Sequence, residues 1–241
     1  MRYELFYWPT IQGRGEFVRL ALEEAGADYL DVAREQGQGL GEQAMLDIME
    51  DAHLPRTPFA PPFLRAGRQV VAQTANILLF LGPRLGLAPR ADASRVWVHQ
   101  LQLTVEDLVV DVHDTHHPVA ATLFYEDQQS EARRRAEYFT GERAAELLGY
   151  FERILQRNPG GRGYMVGRSL SYVDLSMFQI VEGLRYAFPN MMARLEAVIP
   201  GLVTLHQRVA RRPNVAAYCA SPRRLPFNRD GIFRHYPELD C

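Results

Sequence analysis

The chain of 241 residues contains no lysine; all 27 of its basic residues are arginine. Any site that holds an anion must therefore use arginine, backbone amides or neutral polar groups. Cysteine is scarce as well. Cys219 and Cys241 are the only two, both near the C-terminus, too few and too close together to staple a small secreted fold, so a reducing, cytoplasmic setting is expected. No apolar run approaches the ~18 residues that a membrane span needs, and Met1 to Pro9 lacks the charged-then-apolar profile of a signal peptide, so no membrane partner is expected. Charge of one sign is also missing: 27 basic and 29 acidic residues leave a net charge of −2, and no block of like charges forms a binding tail, which argues against nucleic acid. Repeats and low-complexity tracts are absent.

At this length two domains are the natural starting assumption, since domains usually run to roughly 100–150 residues. Residues Arg2 to Tyr7 alternate and read as a first strand, buried on both sides. Trp8 to Gly13 is a loop, and Phe17, Leu20, Ala21 and Ala25 then fall at helical spacing until Gly26 closes the helix. Tyr29 to Ala33 reads as a second strand. A weak amphipathic segment ends near Ala52, four prolines punctuate Pro55 to Pro62, and Phe63-Leu64 and Val70-Val71 form a hairpin turned at Gly67. Gln73 and Thr74 open a helix to about Leu81. This β-α-β, then β-β-α order predicts a small mixed sheet with flanking helices, an α/β domain over residues 1–82. Gly82 to Asp92 is a linker, and an all-α domain follows over 93–220, with helices predicted at Ala93–His117, Asp127–Arg157, Ser171–Ala187 and Ala193–Arg211. The tail 221–241, rich in Pro, Arg and aromatics, is expected to pack over the surface.

Several local patterns carry chemistry. Gln73 and Thr74 stand at a helix start, where free amides, a hydroxyl and the positive dipole end suit a carboxylate. Ser171 and Asp174 form a Ser-x-x-Asp box that caps a helix, a structural feature. Asp107, Asp111, His113, Asp114, His116 and His117 crowd the end of one helix. His113 and His117 share a face and could in principle hold zinc, but no third ligand follows at a recognisable spacing, so no metal is expected.

Taken together, Tyr7-Trp8, Gly13-Arg14-Gly15-Glu16 with Arg19-Leu20, Pro62 before a hairpin, Gln73-Thr74, and Ser171-Tyr172-Val173-Asp174 with Glu182-Gly183 resemble the tyrosine-type cytosolic glutathione transferases, nearest the sigma and pi classes, over nearly the whole chain. The resemblance implies a thioredoxin-like N-terminal domain that binds glutathione as co-substrate, followed by a helical domain lining the second-substrate pocket. It implies that Tyr7 activates the thiol. A phenolic hydroxyl beside a helix N-terminus can donate to a thiolate and lower its pKa. A shift of about two units, roughly 2.7 kcal/mol, would make most bound glutathione nucleophilic at pH 7. Arg14, Pro61, Pro62, Gln73 and Thr74 become the glutathione-binding residues, and Trp8, Thr10, His113, His117 and Tyr125 candidates for the second pocket. Pro61 precedes the matched proline and has no N–H, so only its carbonyl remains to pair with glutathione. Gln12 stands where many members have another arginine. The lysine or tryptophan that usually holds the glycyl carboxylate has no match in Arg34–Arg56, which leaves Gln43, His53 and Arg56 as weak candidates. Leu103 occupies the place of an acidic residue that in pi-like members reaches a neighbouring subunit, with Asp107 or Gln102 as possible substitutes. No cysteine or serine lies in Trp8–Gly13, which disfavours thiol-transferase and serine-type relatives. The implied activity is conjugation of glutathione to small electrophiles by a homodimer. Glutathione-dependent isomerisation or peroxide reduction on the same thiolate, and a non-catalytic binding relative, are the alternatives.

Overall fold

The computed structural model describes residues 2–240; Met1 and Cys241 lie outside the described residues, and with them the reading of Cys241. Strands β1 (Tyr3–Phe6), β2 (Tyr29–Asp31), β3 (Phe63–Ala66) and β4 (Gln69–Ala72) form one sheet in the order β2-β1-β3-β4. β1 and β2 run parallel across the helix α1 (Gly15–Glu24), and β3 is antiparallel to both β1 and β4. β1 is buried on both faces, which is why its sequence lacks a clean polar alternation. Leu5 packs with Val18, Leu22, Leu64, Ile77 and Leu81 on one side. On the other, Phe6 stacks on Phe63 at 4.7 Å beside Val32 and Met45. Met45 belongs to α2 (Gly41–Glu50), and Ile77 and Leu81 to α3 (Thr74–Arg84). The β3–β4 turn needs a left-handed residue, supplied by Gly67 at φ 63°.

Beyond α3 every regular element is helical: α4 (Asp92–Asp114), α5 (Gln129–Tyr138), α6 (Ala144–Arg157), α7 (Tyr172–Ala187), α8 (Pro189–Leu195), α9 (Pro200–Ala210) and α10 (Pro213–Cys219), with short 3-10 turns between them. The chain is thus a thioredoxin-like domain followed by a helical domain, as expected. The two share a core, since Phe17, Leu20, Ala21 and Leu78 of α1 and α3 cluster with Val105, Leu108, Val181 and Leu184 of α4 and α7.

Three readings of the sequence need correction. The long helix expected over Asp127–Arg157 is interrupted by a π turn at Phe139–Arg143, where the extra residue widens the coil without breaking the apolar face. The helix expected over Ala193–Arg211 is two, because Pro200 has no N–H to donate and starts a new helix instead. The tail does more than cover the surface. Ile232, Phe233 and Leu239 enter the main core, and Phe233 lies so close to Gly183 that a Cβ there would fall 2.4 Å from its ring.

The box at the start of α7 is formed as the sequence implies. Asp174 is fully buried and accepts from the Ser171 amide (2.7 Å), the Ser171 hydroxyl (2.8 Å) and the Met165 amide (2.7 Å). Burial pushes its carboxyl up to about 6 against the pull of these donors. Asp174→Ala would strand two amides and a hydroxyl inside the core, so a loss of about 2–4 kcal/mol is expected. Thermal unfolding should show a drop of several degrees; an unchanged midpoint would contradict the structural role given to the box.

Candidate active site at the first strand–helix junction

Tyr7 follows the last residue of β1 and is only 4% exposed. Its hydroxyl accepts a hydrogen bond of 2.8 Å from the backbone N–H of Arg14, the residue that caps α1. The ring is clasped by two glycines. A Cβ on Gly13 would lie 2.1 Å from the Tyr7 oxygen, and one on Gly15 would lie 2.5 Å from the ring; Gly13 also has φ 45°. The glycines of the Gly13-Arg14-Gly15 motif are therefore present so that a phenol can rest against a helix start. Burial pushes the Tyr7 hydroxyl above its ordinary value, while the Arg14 amide and the charges of Arg14 and Arg19 pull the other way. At neutral pH the phenol keeps its proton. With its oxygen accepting from Arg14, that proton is available to a partner.

The charges around Tyr7 are fixed from behind. Arg19 is fully buried, 5.7 Å from the Tyr7 ring centre. Its Nε donates to Asp31 at 2.6 Å and its Nη1 to the carbonyls of Ile11 and Gln12 and to Glu16. Gln12, singled out because many relatives carry arginine there, turns away from the site. It donates to the Leu225 carbonyl and accepts from Gln179 at 2.7 Å, tying the loop to α7 and the tail.

The other glutathione-site candidates meet at the β3 and α3 starts. The Pro61–Pro62 peptide is cis and leads directly into β3. Gln73 is exposed and holds φ 71° and ψ 123°, a conformation that a residue with a Cβ rarely adopts. Its carbonyl already accepts from Ile77 at 2.8 Å. Thr74, 2% exposed, opens α3 with a hydroxyl that has no hydrogen-bond partner. A strained residue and a buried hydroxyl without a partner thus stand together at the start of α3. Gln43 is spent on Asp47 within α2. Arg56 lines a cavity with Asn76 and Phe80 along β4.

The five second-pocket candidates are not gathered into one wall. Trp8 packs on the Phe6, Phe63 and Met45 cluster beside α2. Thr10 is exposed, and its carbonyl accepts from Asn228 of the tail at 2.9 Å. His113 and His117 stack at 5.2 Å, and Tyr125 stacks at 4.0 Å on Tyr236 while donating to Glu238 at 2.9 Å. His116, one residue of the crowded helix end, organises it. Its Nε2 donates to the Ile232 carbonyl at 2.8 Å, so its Nδ1 must accept from Nδ1 of His117 at 2.5 Å. Burial and the nearby charge of Arg234 lower His116 to about 2 and His117 to about 4. Among the described residues no three His, Cys, Asp or Glu side chains converge to hold a metal ion.

Glu106 of α4 is not among the candidates read from the sequence, and Gln102 stands there only as a possible substitute for the acidic residue missing at Leu103. Gln102 is buried, accepting from Ser176 at 2.7 Å and donating to Glu106 at 3.0 Å, so it cannot reach a neighbouring molecule. Burial raises the Glu106 carboxyl, opposed by Gln102 and the Arg14 charge. Arg14 also acts on His113, so its charge is felt at the end of α4. Glu106 and His113 stand seven residues apart on one helix face, a spacing that could have flagged the pair.

A family model of the glutathione S-transferase C-terminal domain matches residues 113–222. Glutathione S-transferase of Plasmodium falciparum is 22% identical over 219 residues, covering 89% of this chain and 93% of the relative. Glutathione S-transferase P 1 of Xenopus laevis is 25% identical over 225 residues, covering 92% and 93%. Among solved structures, the pi-class glutathione S-transferase of Onchocerca volvulus superposes with a TM-score of 0.72 at 21% identity, covering 96% of this chain and 99% of the other. Rat hPGDS complexed with a quinoline superposes at 0.68 and 17% identity, covering 95% and 100%.

Two outcomes follow from the site. Gly15→Ala forces its Cβ into the Tyr7 ring, and the resulting overpacking should cost about 1–3 kcal/mol in thermal or denaturant unfolding. His116 and His117 are held neutral in the folded chain and titrate near 6.5 when unfolded. The unfolded chain therefore binds more protons below that pH, and stability, full above about pH 6.5, should fall steadily towards pH 4. His116→Gln should flatten this slope in pH-dependent unfolding, and an unaltered slope would show that the acid sensitivity lies elsewhere.

Proposed function

We propose that this chain, similar over most of its length to glutathione S-transferases, binds glutathione at the β1–α1 junction and transfers the sulfur to a small electrophile, with the Tyr7 hydroxyl donating a hydrogen bond to the thiolate. The observation that carries this reading is the buried Tyr7 phenol, protonated and accepting from the Arg14 amide at 2.8 Å. A donor already polarised by an accepted hydrogen bond, near the positive charges of Arg14 and Arg19, stabilises a sulfur anion over its conjugate thiol.

The rest of the binding geometry follows from unpaired groups. The Thr74 hydroxyl, the first amides of α3 and the strained Gln73 would receive the γ-glutamyl carboxylate, and the Pro61 carbonyl the cysteinyl amide. Arg14 would stand beside the tripeptide. Holding the thiolate near an acceptor turns a bimolecular encounter into a positioned attack: the sulfur forms the new bond, the leaving group departs with its electron pair, and the thiol proton passes to solvent. A cytoplasmic, reducing environment suits a thiol co-substrate. No helix among the described residues is long and apolar enough to cross a membrane. A homodimer is supported by Val96, Leu103 and Val110, which repeat every seven residues along α4 and are exposed, and by Phe59, 91% exposed before β3.

Titration of the ultraviolet thiolate absorbance of bound glutathione tests the assignment of Tyr7. The wild type should show a thiol pKa near 6–7, and Tyr7→Phe should raise it by a unit or more. Saturable glutathione binding without any thiolate at neutral pH would mean a binding protein that has lost the chemistry.

A further inference from the structure

From Tyr7 to Arg14 the chain belongs to neither β1 nor α1. The loop is closed on itself, because the Arg14 N–H donates to the Tyr7 hydroxyl at 2.8 Å, and Thr10 stands halfway round it, between Tyr7 and Gly13. Whatever fixes its middle therefore bears on the phenol. From its own domain the loop is held loosely. Arg19 reaches the carbonyls of Ile11 and Gln12 at 3.4 and 3.3 Å, longer than the usual range for an N–H···O bond. The closer bonds come from the tail: Asn228 donates its Nδ2 to the Thr10 carbonyl at 2.9 Å, an ordinary length, and the Leu225 carbonyl accepts from the Gln12 side chain.

Asn228 can hold a loop because it is itself held. Its Oδ1 accepts from the backbone N–H groups of Asp230 and Gly231 at 3.0 and 3.1 Å, an Asx turn. Arg234 locks that turn, donating to the Gly231 carbonyl at 2.7 Å and the Asp230 carbonyl at 3.1 Å. On either side an aromatic residue ties the chain to α7 of the helical domain: Phe227 stacks on Tyr186 at 5.0 Å, and the buried Phe233 lies against Gly183. The Thr10 carbonyl of the thioredoxin-like domain is thus joined through one side chain to the core of the helical domain. Serving only its own turn, position 228 could equally be Ser or Asp, which accept from the same amides. Reaching the Thr10 carbonyl as well needs a donor, and the planar amide of asparagine supplies both.

We infer that Asn228 is a positioning residue for Tyr7, fixing through the Thr10 carbonyl the geometry at which the phenol meets the Arg14 amide and the glutathione sulfur. It acts through the loop and not on the sulfur. Its effect on the sulfur rests on the transferase reading, whereas its effect on the Tyr7–Arg14 bond does not.

The test compares the full wild-type chain with Asn228→Ser, which is uncharged, keeps an acceptor for the turn and is too short to donate to Thr10. In the ligand-free protein, hydrogen exchange of the Arg14 amide should be about tenfold faster in the variant, because its acceptor is less firmly placed. With glutathione bound, the thiol pKa read from ultraviolet thiolate absorbance should rise by about half a unit, roughly threefold in the thiol–thiolate equilibrium. In a Tyr7→Phe background the same substitution should leave the thiol pKa unchanged, since its route through the phenol is gone. Asn228→Asp, which keeps the turn should serine loosen it, should speed exchange at Arg14 to a similar degree. Wild-type exchange in both variants overturns the inference. So does a thiol pKa that stays put in Asn228→Ser, or one that rises as far without the Tyr7 hydroxyl as with it. A wild type that binds glutathione and forms no thiolate sinks the transferase reading instead, and faster Arg14 exchange in the variants then still upholds Asn228 as the residue that positions Tyr7.

Discussion

The structure depends on one buried ion pair and its ring of partners. Glu16 and Arg19, one turn apart on α1, are both fully buried. Alone they would be expensive, since two charges removed from water rarely recover their hydration through mutual attraction. Here the ring is closed by polar groups from both ends of the chain. Glu16 accepts from the Tyr218 hydroxyl and from Arg224, each at 2.9 Å; Arg224 donates to Gln179 at 3.0 Å; Gln179 donates to Gln12; and the Gln12 carbonyl accepts from Arg19. Asp31 of β2 accepts from the guanidinium Nε, while the buried Nη2 has no hydrogen-bond partner. Sheet, α1, α7, α10 and tail are thereby held to a single arrangement.

The site gains from this. The loop between β1 and α1 is short of regular structure, and a phenol that must be placed within a few tenths of an ångström cannot rely on a loop alone. The buried ring fixes Ile11 and Gln12 through their carbonyls, the glycines that follow leave room for the Tyr7 ring, and the Arg14 amide meets its oxygen. Arginine is suited to the task in a chain without lysine, because a planar fork can satisfy a carboxylate and two carbonyls at once. The same residue type serves the tail, where Arg223 and Arg224 anchor it to α1 through Glu23 and Glu16.

The helical domain follows a plainer logic, apolar faces packed in one core. Its departures from regularity mark where other constraints enter. The π turn at Phe139–Arg143 ends on Arg143, which joins Arg135 in pairing with Asp111 across to α4. His116 is held neutral by burial, against the pull of the Ile232 carbonyl that its Nε2 serves, which sacrifices acid stability for a fixed tail.

The order of strands and helices, the hairpin glycine, the cap at Ser171 and Asp174, and the place of Tyr7 beside a helix start were legible in the sequence, because each rests on local periodicity, turn chemistry or capping within a few residues. Splits at Pro200 and at the π turn were less so, since a proline at a first turn and one extra residue leave the apolar period nearly intact. What only the tertiary structure decided is which polar groups meet. Gln12 reads as a substitute for an arginine, yet it bonds to Leu225 and Gln179, 213 and 167 residues away. The tail reads as an Arg-rich, aromatic covering, but burial of Ile232 and Phe233 turns it into the wall of a cavity. Hydrogen bonds and charge fields depend on distance in space, and sequence spacing reports that distance only along one helix or strand.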